Sequence, residues 1–204
     1  MGFYADWLAP RLCDFAMRNA RLAPYRRRVV TAAEGRVLEI GIGSGLNLSL
    51  YGANVERVFG LDPSPVLIEK AAQAGKRAGA RVELLRASAE RIPLESRSID
   101  TIVMTWVGCS IPDVETALAE MRRVLKPGGS MLFVEHGRSP EARVARWQDR
   151  LDPVWRRISG GCHMNRQIDI SLRRSGFRIE RLETGYMPGP KLLTFLYEGR
   201  AAAN

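Results

Sequence analysis

An α/β fold built on a mostly parallel sheet is what this sequence predicts, and three observations predict it. Short apolar runs alternate with stretches of helical spacing over residues 36–136. The first run, Val37-Leu38-Glu39-Ile40, ends in the glycine-rich turn Gly41-Ile42-Gly43-Ser44-Gly45. The second ends at Asp62. Parallel neighbours need crossover helices, so strands that alternate with helices build such a sheet.

Residues 1–30 come first. Phe3, Tyr4, Trp7, Leu8, Leu12, Phe15, Ala16 and Leu22 fall roughly on one side of one or two helices, with Arg11, Arg18, Arg21 and Arg26 to Arg28 elsewhere. This pattern predicts an N-terminal helical cap over the mouth of the site. Aromatics on one face and arginines on another also suit peripheral contact with a membrane surface, and the two readings are compatible.

Strands are expected at Arg36 to Ile40, Arg57 to Leu61, Val82 to Leu85, Ile99 to Thr105 and Ser130 to Glu135, from their length and apolar content. Helices are expected at Pro63 to Ala78 and at Asp113 to Leu125, the latter with Asp113 as N-cap and Pro127-Gly128-Gly129 as a stop. Beyond His136 come a helical stretch holding Trp147 and Trp155, the loop Ser159 to Cys162, and a helix near Ile168 to Ser175. Two last strands follow, near Phe177 to Thr184 and Leu192 to Tyr197, joined by a link rich in glycine and proline.

Composition bounds what such a chain can be. A length of 204 residues, with 46% hydrophobic and 26% charged content, suits a single globular domain over 1–204. No apolar run reaches membrane-spanning length, and Asp6 and Arg11 interrupt any secretory core. Cys13, Cys109 and Cys162 are odd in number and widely spaced, in no metal-ligand arrangement, so no metal is expected and a reduced, cytoplasmic location is. The net charge of +9 is carried mostly by arginine and is spread along the chain, which reads as a solvated surface. With no basic motif interleaved with aromatics, nucleic acid ranks low as a partner.

The glycine turn carries the chemistry. Each missing Cβ lets backbone N–H groups approach a nucleotide-like cofactor, and a carboxylate after the next strand, Asp62, suits two ribose hydroxyls. A dinucleotide-binding turn would place its third glycine three residues after the second; here Gly45 follows Gly43 by two, with Asn47 beyond and Glu39 before. The turn is expected to run into a helix, as such turns do. A carboxylate at position 39 would repel a pyrophosphate but suits a positively charged amino acid moiety.

With these residues in hand, the chain resembles the class I S-adenosylmethionine-dependent methyltransferases of the type 11 domain. Asp62-Pro63-Ser64 is similar to their ribose-binding turn, Ala87-Ser88-Ala89-Glu90 with Ile92-Pro93-Leu94 to their adenine-side segment, and Leu125-Lys126-Pro127-Gly128-Gly129 to the turn before their fifth strand. The resemblance implies a Rossmann-like, doubly wound sheet of seven strands whose last is antiparallel. It also implies S-adenosylmethionine as cofactor, bound by Glu39, Gly41, Gly43, Ser44, Gly45, Asn47, Asp62, Pro63, Ser88, Ala89 and Trp106. Ser88 stands where many members have an aspartate that contacts the adenine amino group, and Glu90 or a backbone carbonyl would then share that contact.

Methyl transfer from a sulfonium asks the protein mainly to orient two reactants and exclude water, and the need for a base depends on the acceptor. In an open parallel sheet the acceptor pocket lies beyond the carboxyl ends of the strands, which places Trp106 and Cys109 after the fourth strand, His136 after the fifth, and the region around Gly161-Cys162-His163 near it. His136 and His163 are the candidate catalytic residues, as base or substrate contact, with structural hydrogen bonding the alternative for each. Trp106 stacks on adenine, walls the acceptor pocket or is ordinary core. The order Cys109-Ser110, Glu135-His136-Gly137, Asp152-Pro153-x-Trp155, Gly161-Cys162 resembles the thiol S-methyltransferase branch and implies a thiol acceptor. Quinone-ring C-methylation and phospholipid N-methylation are the other enzymatic readings. A cofactor-binding module without turnover and a dehydrogenase are the readings from other classes, and the glycine spacing argues against the second.

Overall fold

The computed structural model describes residues 9–203. Seven strands form one sheet in the order β3-β2-β1-β4-β5-β7-β6. β1 (Gly35–Ile40) lies parallel to β2 (Val55–Leu61) and to β4 (Ile99–Thr105), β2 to β3 (Val82–Leu85), and β4 to β5 (Leu125–His136). The last strand, β7 (Phe195–Ala203), runs antiparallel to both β5 and β6 (Phe177–Tyr186). The strand order reverses between β1 and β4, which opens a crevice at their carboxyl ends.

Alternation along the central strands assigns each side chain to a face. Leu38 and Ile40 of β1, Ile102 and Met104 of β4, and Met131 and Phe133 of β5 pack on one side with Leu118 and Met121 of α4 (Val114–Val124) and Ile168 and Leu172 of α6 (Ile168–Arg174). Val37, Val103, Leu132 and Val134 pack on the other with Val29 and Val30 of α2 (Ala23–Val30) and Ala71 of α3 (Pro65–Ala78). Helices thus cover both faces, and central strands buried on both sides explain the nearly continuous apolar runs. The same alternation sends Glu39 and Thr105 toward the α2 and α3 side and Glu135 toward the other.

Caps define the helices. The Ser64 hydroxyl accepts from the Leu67 N–H at the start of α3, and Gly79, at φ 62°, ends it. Asp113 caps α4 as its position predicts, accepting from the Thr116 N–H. The other α-helices among the described residues are α1 (Ala9–Met17), α5 (Ala142–Ile158) and a single turn, α7 (Lys191–Thr194), with one 3-10 turn at Ala20–Leu22 between α1 and α2. Among the described residues no helix is long and apolar enough to cross a membrane.

Three expectations are corrected. Residues 41–50 form successive turns instead of a helix, with bonds from Gly45 N to Ile42 O, Leu48 N to Gly45 O and Leu50 N to Asn47 O. Three glycines at positive φ, together with an Asn47 side chain drawn inward, break the helical path here. β5 begins at Leu125, so the Pro-Gly-Gly segment lies within the irregular start of the strand. The last strand spans Phe195–Ala203 in place of Leu192 to Tyr197: Ala201 and Ala202 have weak strand propensity, but pairing with Met131 and Ser130 holds them in the ladder.

Candidate functional site

The glycine turn sits at the carboxyl end of β1. Gly41, Gly43 and Gly45 have φ of 64°, 56° and 79°. A Cβ on Gly41 would lie 2.3 Å from Cγ2 of Val107, so the loop after β4 rests directly on this turn. Asp62, at the end of β2, ties it from the other side: one carboxylate oxygen accepts from Gly43 N at 3.1 Å and the other from Ser64 N at 2.8 Å. Burial pushes its pKa up while those two bonds oppose the shift. Pro63 follows on the surface.

Glu39 is 1% exposed. Its carboxylate accepts from Asn47 Nδ2 and from the Tyr51 hydroxyl, each at 2.8 Å, and Asn47 also donates to Thr105 at 3.2 Å. Burial pushes Glu39 up to about 7, against the pull of those bonds and of the Arg26 charge. Arg26 is itself buried, with its guanidinium 5.2 Å from the centre of the Trp106 ring. Trp106 is held at φ 50°. Asn47 Oδ1, Arg26 Nε and Trp106 Nε1 are buried with no hydrogen-bond partner. One acceptor and two donors around a buried carboxylate fit a zwitterionic amino acid moiety, which needs partners for both an ammonium and a carboxylate.

Arg26 and Tyr51 stand in the candidate site, against Trp106 and Glu39, and are not among the residues the sequence points to. The Arg26-Arg27-Arg28 triplet reads as solvated surface, yet Arg26 turns inward and Arg28 forms a two-pronged pair with Glu198 of β7 at 2.8 and 2.7 Å. The one available signal is their place one turn before the apolar Val29-Val30 pair. α1 lies across the glycine turn, where Asp14 accepts from the Ser44 hydroxyl and pairs with Lys70 at 2.6 Å. Phe3, Tyr4, Trp7 and Leu8 lie outside the described residues. In the segment expected to face the adenine, the Ser88 hydroxyl donates to Glu90 at 2.8 Å, and Glu90 accepts from Asp113 N at 2.8 Å. That proton is engaged within the turn beside buried Ala89.

The two histidines stand on the far side of the loop after β4. His136 Nε2 lies 3.0 Å from Cys162 Sγ, and Cys162 Sγ lies 3.5 Å from Cys109 Sγ. The cysteines, distant in sequence, are therefore brought together with a histidine, and their chain spacing concealed it. Hydrogen bonding to Cys109 and burial hold Cys162 as a neutral thiol. His163 Nδ1 is 3.0 Å from Asp152, whose other oxygen accepts from Met164 N at 2.9 Å. Glu135 accepts from Val107 N and Gly108 N at 2.9 and 3.0 Å, and Arg166 donates to the carbonyls of Gly108 and Ile111. Buried Gln148 binds the carbonyls of Gly137, Met164 and Leu192 and accepts from Ser139 N, which fixes the chain after His136.

A glycine turn, a carboxylate closing it from the next strand and a buried acid beside it form a nucleotide-type site, and residues 38–133 match the methyltransferase domain family. Over these residues the chain belongs to the methyltransferase-domain family. S-adenosylmethionine is its cofactor. Among curated proteins this methyltransferase is 31% identical over 164 residues to thiol S-methyltransferase TMT1B of Rattus norvegicus, covering 78% of this chain and 66% of that protein. It is 33% identical over 137 residues to phosphatidylethanolamine N-methyltransferase of Cereibacter sphaeroides, covering 65% and 66%. Among solved structures, an S-adenosylmethionine-dependent methyltransferase from Aquifex aeolicus superposes with a TM-score of 0.66 at 18% identity, covering 94% of this chain and 97% of that one. The last likeness concerns the fold.

Proposed function

We propose that this methyltransferase transfers a methyl group to a thiol on a small or lipid-like acceptor. The observation that carries the proposal is the pairing of His163 with Asp152 beside the Cys109 loop, in a chain 31% identical to a thiol S-methyltransferase. His163 N also donates to the Cys109 carbonyl at 2.8 Å, which fixes the ring's segment against that loop.

Bound S-adenosylmethionine supplies a methyl group activated by the neighbouring sulfonium charge. Glu39 would oppose the ammonium of its amino acid end and Arg26 would meet the carboxylate. Asp62 would accept from the ribose hydroxyls, Gly41, Gly43 and Gly45 would clear space for the cofactor, and Trp106 would wall the site. Val107 rests directly on Gly41, which fixes the loop after β4 against the glycine turn. Asp152 holds Nδ1 of His163, which leaves Nε2 to take the proton of an acceptor thiol; the bound cofactor would supply the methyl group to that sulfur. Thiols ionise near pH 8.5, so one histidine suffices as base.

Transfer of label from radiolabelled S-adenosylmethionine to small thiols, phosphatidylethanolamine and a demethylated quinol tests the proposal. Labelled thioether is the expected product. Label on the lipid amine or the quinol ring instead would overturn the thiol assignment, and cofactor binding with no labelled product across the panel would favour a binding module.

A further inference from the structure

Cys109, His136 and Cys162 lie on three separate segments: the loop after β4, the end of β5 and the loop after α5. Their donor atoms all fall within 4.8 Å of one another. Cys109 is 2% exposed and His136 8%. Around a tetrahedral Zn²⁺, with bonds of about 2.3 Å to sulfur and about 2.0 Å to nitrogen, such donors stand roughly 3.5 to 3.8 Å apart. The observed separations of 3.5 Å (sulfur to sulfur) and 3.0 Å (Cys162 sulfur to His136 nitrogen), with the Cys109 sulfur and His136 nitrogen within 4.8 Å, lie near those values, so side-chain adjustment would bring all three donors onto one ion. Glu135 Oε2, fully buried and without a partner, stands on the adjacent residue, and its other oxygen anchors the Cys109 loop through Val107 and Gly108.

We propose that Cys109, Cys162 and His136 bind one Zn²⁺, leaving a fourth position open to the acceptor thiol. Two thiolates and a neutral imidazole balance the ion's charge, and two protons leave for solvent when it binds. The open position then takes the acceptor sulfur as a thiolate: its S–H bond breaks, a zinc to sulfur bond forms, and the proton passes to His163. This second step rests on the thiol reading above; the metal site does not.

The test is competition with a chromophoric chelator on the full chain, kept reduced with a phosphine. One equivalent of Zn²⁺ should bind, and Cys109→Ser, Cys162→Ser and His136→Ala should each weaken it by about tenfold or more. Calorimetry with S-adenosylmethionine on the same variants confirms that they are folded. No Zn²⁺ bound, or binding untouched by these substitutions in folded variants, overturns the site. With Co²⁺ in place of Zn²⁺, 2-mercaptoethanol should alter the visible spectrum; an unchanged spectrum overturns the open position. Stoichiometric Zn²⁺ without methyl transfer to any thiol would refute the thiol reading and leave the site standing.

A different observation carries a second inference. α5 exposes Trp147, Leu151, Val154 and Ile158, spaced four, three and four residues apart along one stripe, with Trp147 50% and Val154 59% exposed. α1 meets the end of α5, where Cys13 Sγ lies 3.9 Å from the Ser159 carbonyl, and adds exposed Leu12 and Phe15. Exposed Arg143, Arg146, Arg150, Arg156 and Arg157 line the stripe. We infer that this face docks on an anionic lipid bilayer, the surface that both its apolar side chains and its charge complement. Co-sedimentation with phosphatidylcholine vesicles containing phosphatidylglycerol should exceed that with phosphatidylcholine alone, weaken with salt, and fall in a Trp147→Ser/Val154→Ser variant. Equal partitioning to both vesicle types, binding indifferent to the substitutions, or a dimer in solution that the same substitutions dissociate would overturn it.

Discussion

Replacing Glu39 with Gln should make the protein more stable at neutral pH and a poorer binder of its cofactor. Glu39 is 1% exposed, and burial raises it from an ordinary 4.5 to about 7. The folded chain therefore holds this proton where the unfolded chain has lost it. Stability falls as pH rises from about 4.5 to about 7, by about 1.4 kcal/mol per pH unit, and the full cost of ionising Glu39 is about 3 kcal/mol. Gln keeps the shape, accepts from Asn47 and can donate to the Tyr51 oxygen, so little else changes. Urea denaturation followed by circular dichroism at about pH 5 and about pH 8 should show the natural chain losing about 2 to 3 kcal/mol more than the variant across that interval. Calorimetry at the higher pH should show the opposite order for S-adenosylmethionine, with about tenfold or greater loss on removing the charged partner of the ammonium. Equal pH dependence in the two chains would refute the burial argument, and equal cofactor affinity would move the ammonium away from Glu39.

Three further substitutions probe the site's supports. Asp62→Ala removes the acceptor for Gly43 N and Ser64 N; it should lower stability by about 2 kcal/mol in urea denaturation and also weaken cofactor binding in calorimetry, since it loosens the turn as well as the ribose contact. Gly41→Ala puts a Cβ 2.3 Å from Val107 at φ 64°, and should cost about 1 to 3 kcal/mol while displacing the loop that carries Trp106, seen as loss of cofactor affinity. Gln148→Leu strands three carbonyls and the Ser139 N–H in the interior; a loss of about 3 kcal/mol in urea denaturation is expected, and unchanged stability would show that other groups satisfy them.

What the sequence determined by itself was the order of the strands and of the helices between them, the cap at Asp113, and the glycine turn with the carboxylate of Asp62 after the next strand. Those features are local: a strand's period, a cap's side chain or a glycine's positive φ acts within a few residues of where it is written. The tertiary structure alone decided the rest. The turns after Gly45 replace a helix because Asn47 is bonded to Glu39 and Thr105 on neighbouring strands. Arg26 left the predicted surface because α2 packs its Val29 and Val30 against the sheet and carries the arginine over Trp106. Cys109, His136 and Cys162, expected near one pocket but in no metal-ligand arrangement, come within reach of one another because β4 and β5 end side by side and the loop after α5 folds back over them. Such convergence depends on which strand ends adjoin, and no local pattern of residue types encodes that adjacency.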